Sequence, residues 1–234
     1  MTKLTIGIPV KNDLECLQAM LFSLRRSTKD YDKLIFAVGK GTNKETEDYL
    51  EAITEFDFKD EDILYELSEE RFNTPLDAYN YLFKRAKEEK SDLFVTQTDV
   101  LFPKLYKRDW LSYMKEVAQS PEVGAVTCIN GTGISGPDYV NGFEWLGGWC
   151  TYYPLRTLEK IGEYDKNFPN GYGVDIDHSY RIIKSGLKII KVNYWVDHHM
   201  MNEREHDKNP NTEQMKKESS EYFKKKWNIG GIKK

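Results

Sequence analysis

Four short apolar runs, at residues 4–10, 34–38, 63–67 and 93–96, alternate with segments of helical periodicity, and this alternation restricts the chain to few folds. After the first run, Asn12 or Asp13 is placed to cap a helix whose Leu14, Leu17, Leu21 and Leu24 share one face. The second run enters the turn Gly39-Lys40-Gly41-Thr42-Asn43, with a helix expected over 44–53. Pro75 suits the first turn of a third helix, carrying Leu76, Tyr79, Leu82, Phe83 and Ala86. Strands and helices in this order imply right-handed crossovers and a largely parallel sheet covered on both faces. The expected class is α/β.

The later chain reads differently. Residues 124–129 are strand-like, and 130–153 mix glycine, proline and aromatic residues in a way that suits loops and hairpins. Helices are expected over 155–161 and over 175–185, where Ile176, Tyr180 and Ile183 share a face and Gly186 marks the stop. A strand over 189–196 would end at His198 and His199. From Met201 onward, 9 Lys or Arg stand against 6 Asp or Glu. Residues 213–227 read as a surface helix whose Lys224-Lys225-Lys226 is a solvated face. With no repeat and no linker, residues 1–234 are expected to form a single domain.

The chain's 34 Lys plus Arg and 38 Asp plus Glu give a net charge of −4, which supplies no global attraction to nucleic acid or anionic membrane. No apolar run approaches the roughly 18 residues of a membrane span. The polar start Met1-Thr2-Lys3 is not a secretory signal, so a soluble, cytoplasmic protein is expected. Cys16, Cys128 and Cys150 are widely spaced and read as reduced, buried thiols.

Open parallel sheets bind ligands beyond the carboxyl ends of their strands, which directs attention to residues 9–13, 39–43 and 97–99. Asp99 follows an apolar strand, where a carboxylate can bind a hard divalent cation or cap a turn. Gly39-Lys40-Gly41-Thr42 lacks the order of a phosphate loop. Asp175 and Asp177 fall at the entrance of a helix, where the dipole favours negative charge. Asp177 precedes Arg181 by four residues and is expected to pair with it. That leaves Asp175 as the candidate general base. His198 and His199, on opposite faces of an extended chain, allow one imidazole to reach a metal; both also read as ordinary histidines. Trp145, Trp149, Tyr152 and Tyr153 around Gly147-Gly148 suit either sugar stacking or a core.

The order of these pieces resembles the inverting family-2 glycosyltransferases of GT-A fold, from Leu4 to about Trp227. Ile6-Gly7-Ile8-Pro9-Val10-Lys11-Asn12 looks like the family's I-I-P-x-x-N start, and Ala78-Tyr79-Asn80 is similar to its A-x-N helix. Gln97-Thr98-Asp99 occupies the D-x-D position, Gly147-Gly148-Trp149 the turn beneath the donor sugar, and Val174-Asp175-Ile176-Asp177 with Arg181 the E-D-x-D-x-x-x-R segment. Lys160-Ile161-Gly162-Glu163-Tyr164-Asp165, then Phe168 and Gly171-Tyr172-Gly173, is also family-like. The chain departs from the pattern at Gln97 and Val174, where the family has acids, and at Gly39 and Lys40, where an Asp usually holds the nucleotide.

The resemblance implies a mostly parallel, Rossmann-like sheet flanked by helices, with a smaller mixed sheet on the acceptor side. Residues 1–103 would form the nucleotide-sugar half, 104–200 the acceptor and catalytic half, and 201–234 a basic C-terminal helix. The implied reaction moves a sugar from a nucleoside diphosphate donor, UDP- or GDP-linked, to a hydroxyl of a glycan or other acceptor, with inversion. Asp175 would be the base. Asp99 with His198 or His199 would hold Mn²⁺ or Mg²⁺, while Pro9, Val10, Asn12, Asn73, Gln97, Thr98, Asp99, Gly148 and Trp149 would line the donor. Two alternatives carry different chemistry: a non-catalytic carbohydrate- or nucleotide-binding module, and a sugar nucleotidyltransferase. The latter would be expected to show a glycine-rich basic loop where Pro9-Val10-Lys11-Asn12-Asp13 stands.

Overall fold

The computed structural model describes residues 2–55, 63–104, 108–136, 139–198 and 210–229. Its first elements are β1 (Leu4–Val10), α1 (Leu14–Ser27), β2 (Lys33–Val38), α2 (Lys44–Glu55), β3 (Leu64–Leu67), α3 (Pro75–Glu88) and β4 (Asp92–Thr96). β5 (Val100–Leu101), α4 (Trp110–Ala118), β6 (Val123–Cys128), β7 (Thr132–Ile134), β8 (Glu144–Leu146) and β9 (Cys150–Tyr153) follow. The chain continues through α5 (Leu155–Ile161), α6 (Val174–Lys184), β10 (Lys188–Val192), β11 (Asp197–His198) and α7 (Thr212–Trp227).

Seven strands form the central sheet in the order β10-β6-β9-β4-β1-β2-β3. β9 runs antiparallel between β4 and β6, whereas the other neighbouring strands pair in parallel. Two small antiparallel ladders, β5 with β11 and β7 with β8, stand apart from it.

The period of two along each strand divides the core between two faces. Leu4, Ile6, Ile8 and Val10 of β1 pack with Leu17, Met20 and Leu24 of α1 and with Trp110 and Met114 of α4. Ile35, Ala37, Leu93 and Val95 face the opposite layer, with Leu82 and Phe83 of α3, Ile182 of α6 and Phe223 of α7. Each such Leu, Ile, Val, Met or Phe side chain contributes about 1.5–3 kcal/mol on burial. Gly7 lets α3 approach β1 closely: a Cβ there would lie 2.9 Å from a Leu82 methyl.

Four local expectations change. Asn12 and Asp13 both have positive φ, 55° and 64°, and Asp13 makes no capping bond, because a capping side chain reaches its N–H from extended backbone. Asn12 instead accepts the Asn43 N–H at 2.7 Å, joining the loops after β1 and β2. The strand expected through residue 196 stops at Val192; the Asn130 carboxamide takes over the Val196 backbone, donating to its carbonyl at 2.8 Å and accepting its N–H at 3.3 Å. α4 occupies a stretch where no element is expected from the sequence, and Asp109 caps it by accepting the Leu111 and Ser112 N–H groups. Lys226, expected on the solvated face of α7, reaches the buried Asp177 carboxylate at 2.8 Å.

Cys16, Cys128 and Cys150 are free and buried. Among the described residues, no helix is long and apolar enough to cross a membrane.

Candidate active site

Gly173 precedes the first turn of α6; its φ of 72° lies in the left-handed region, and a Cβ there would meet the Tyr139 hydroxyl at 2.7 Å. The turn places two acids in opposite settings. Asp175 lies at the wall of a cleft, where its Oδ1 accepts the Ile176 N–H at 2.9 Å. Asp177 is buried, accepting from Arg181 Nε at 3.0 Å, Lys226 Nζ at 2.8 Å and Trp227 Nε1 at 2.8 Å. The latter carboxylate therefore fastens α7 to α6.

Elsewhere in the cleft wall, the β5–β11 ladder sets His198 opposite Val100, beside Asp99. His198 Nε2 and Asp99 Oδ1 are 3.7 Å apart. The imidazole is stacked on Trp149, with ring centres 4.0 Å apart and planes 18° off parallel, so one face of the indole orients His198.

Tyr79 of α3 links two loops at the cleft floor. Its hydroxyl donates to the Gly148 carbonyl at 3.0 Å and accepts from Gln97 Nε2 at 2.8 Å. Burial holds this hydroxyl well above the usual tyrosine range, and the charges of Asp99 and Asp175 push the same way. Tyr164 lies alongside, its hydroxyl 3.2 Å from where a Gly148 Cβ would be. Asn80 holds that segment by a reciprocal pair, donating to the Tyr164 carbonyl at 3.0 Å and accepting its N–H at 2.8 Å.

The cleft has a volume of about 1740 Å³, and Asn73, Gln97, Asp99, Gly148, Trp149, Asp175 and His198 all contribute to its walls. Pro9, Val10, Asn12 and Thr98 are not among its lining residues; Val10 is buried in the core. His199 lies outside the described residues. Sequence reasoning gave no cleft role to Tyr79, read as a helix-face residue, to Tyr164, quoted only within a family-like segment, or to α7, expected as a surface helix, whose Glu213, Lys217 and Lys224 line the cleft. The spacing of those three along one helical face was the available signal.

No group of three His, Cys, Asp or Glu side chains suited to a metal occurs among the described residues. The pair Asp99 and His198 nonetheless fits one divalent ion: two donors each roughly 2.1 Å from a cation lie up to about 4.2 Å apart. Their separation of 3.7 Å falls within that limit. A substrate diphosphate and water commonly complete such a shell.

No protein-family model and no curated protein matches the sequence. Solved structures do match. A mannosyltransferase of Pyrobaculum calidifontis, in complex with GDP-Man and Mn²⁺, superposes with a TM-score of 0.59 at 15% identity, covering 82% of this chain and 55% of its own. GalNAc-T7 with UDP, GalNAc and Mn²⁺ superposes at 0.61 with 13% identity, covering 85% of this chain and 44% of its own. The chain has the GT-A fold. It spans about half the length of those two proteins. A glucose-1-phosphate thymidylyltransferase from Bacillus anthracis, described as putative in its structure, superposes at 0.52 with 12% identity, over 83% of this chain and 89% of its own. The GT-A architecture thus leaves the assignment of activity to the site.

Proposed function

We propose that this protein is an inverting glycosyltransferase that moves a sugar from a UDP- or GDP-linked donor to a hydroxyl of a glycan or other acceptor. The observation that carries this reading is the convergence of Asp175, Asp99 and His198 on one cleft. The mannosyltransferase with GDP-Man and Mn²⁺ and GalNAc-T7 with UDP and Mn²⁺ support the donor class and the metal. Residues 1–103 serve the nucleotide sugar, and 104–200 the acceptor and the chemistry.

Asp175 accepts the proton of the acceptor hydroxyl as that oxygen attacks the anomeric carbon, and the diphosphate departs from the opposite face of the sugar. Asp99 and His198 are the residues that would hold Mn²⁺ or Mg²⁺. When bound, such an ion neutralises charge developing on the leaving diphosphate. Trp149 fixes the plane of the imidazole, and Gly148 leaves room for the sugar above the tyrosine floor.

The thymidylyltransferase neighbour keeps one second reading, nucleotidyl transfer. One experiment separates them. Thermal stabilisation by a panel of UDP- and GDP-sugars, with and without Mn²⁺, is followed by detection of nucleoside diphosphate and of the anomeric configuration of the product. Stabilisation by one donor with release of nucleoside diphosphate and inversion is expected. Pyrophosphate release from a nucleoside triphosphate and a sugar phosphate would replace this reading with the second one.

A further inference from the structure

The proton count around Tyr79 fixes how Gln97 is held. A tyrosine hydroxyl has one proton, and that of Tyr79 goes to the Gly148 carbonyl, which can only accept. At 2.8 Å from the same oxygen, Gln97 must therefore present its NH₂ end. Its Oε1 accepts no hydrogen bond from a described residue, and Gln97 lies in the cleft wall two residues from Asp99. The first position of the acidic motif is thus occupied by a neutral acceptor clamped from behind.

We propose that Gln97 Oε1, held in place by Tyr79, accepts a hydrogen bond from a hydroxyl of the donor sugar, making Gln97 a specificity-determining residue and Tyr79 its positioning residue. The proposal rests on the glycosyltransferase reading. It explains why a carboxylate does not serve at position 97. A carboxylate accepts only, so it would either face the lone pairs of the Tyr79 oxygen or take the proton from the Gly148 carbonyl and leave that carbonyl unpaired. A carboxylate would, in contrast, strengthen a site whose sole task at this position was to bind a cation.

The test is calorimetric binding of UDP, GDP, UDP-glucose, UDP-N-acetylglucosamine and GDP-mannose, each with Mn²⁺, to wild type, Gln97→Glu, Tyr79→Phe and the double variant. The expected result in each single variant is a loss of about tenfold in affinity for the bound nucleotide sugar relative to that for its parent nucleoside diphosphate in the same variant, a ratio in which any effect of the new charge on Mn²⁺ cancels. The double variant should lose no more than the worse single variant, because the two side chains act as one unit. A nucleotide sugar that gains affinity relative to its nucleoside diphosphate in Gln97→Glu would overturn the inference, as would equal changes for nucleotide sugar and nucleoside diphosphate. Unchanged sugar-nucleotide affinity in Tyr79→Phe would overturn it as well, even with a lower melting temperature, while sparing the proposed function. Wild-type protein that binds none of the nucleotide sugars would overturn both.

Discussion

Trp227 donates its indole N–H to Asp177 at 2.8 Å, which ties the end of α7 to the first turn of α6, two residues beyond Asp175. Lys226 and Arg181 donate to the same carboxylate, and Arg181 also donates to the Ile161 and Glu163 carbonyls, at 2.6 and 2.7 Å. A fully buried acid thus organises the helix that closes one side of the cleft.

Removing that acid leaves the partly buried Arg181 guanidinium without a carboxylate and Trp227 without its acceptor, while Lys226 keeps Asp165 at 2.8 Å. Asp177→Ala should destabilise the protein by about 3–5 kcal/mol, and Trp227→Phe, which keeps the ring and removes one N–H to a charged acceptor, by about 1.5–3 kcal/mol. Urea denaturation measures both. Hydrogen exchange should show α7 opening first in the Asp177 variant, and equal protection of α6 and α7 would contradict the fastening role.

Asp175 differs from Asp177 in facing the cleft. Asp175→Asn should lower kcat by about 10²–10⁴, the range of a general base, and leave donor affinity as in wild type. Single-turnover rates with a calorimetric donor titration check both halves; a variant with full turnover would remove Asp175 from the chemistry.

His198 and Asp99 are expected to bind the divalent ion together with the donor. Addition of EDTA should therefore weaken donor binding, and His198→Ala should do the same in the presence of Mn²⁺. Trp149→Ala, which frees the imidazole to rotate, should weaken Mn²⁺ binding by about 10–100-fold, the usual cost of losing a group that orients a ligand. Electron paramagnetic resonance of Mn²⁺ reads these affinities directly.

The sheet was legible because apolar runs and helical periods leave little freedom: β1 to β4 and their helices follow from the patterns of residues such as Leu14, Leu17, Leu21 and Leu24. The join of Asp99 to His198 was expected only through the family resemblance and not from any local pattern, since it depends on a ladder of two residues per strand across 98 intervening residues, which no local period reports. Nor does any local period report Asn130 holding the Val196 backbone beyond β10 or Tyr79 bonded to the Gly148 carbonyl. Each is a side chain replacing a backbone partner far away in sequence, and propensity carries no information about such bonds.

His178 provides a pH test independent of activity. It is 1% exposed, and Nε2 lies 3.0 Å from the Gly162 carbonyl, which only a protonated Nε2 can satisfy. The rings of Phe83, Tyr153 and Tyr164 surround it. Burial lowers its pKa to about 3, and the nearby charges of Arg181 and Lys226 act in the same direction. In the unfolded chain it titrates near 6.5. Between those values the unfolded state binds a proton that the native state refuses, so stability is complete above pH 6.5 and falls as the solution is acidified toward pH 3. The slope due to this one group approaches about 1.4 kcal/mol per pH unit. His178→Phe should be less stable than wild type at pH 7.5, because the Gly162 carbonyl loses its donor, yet should lose less stability on going from about pH 6 to pH 4. Denaturant titrations of both proteins across that interval measure the difference, and parallel curves would show that the imidazole is charged in the native state.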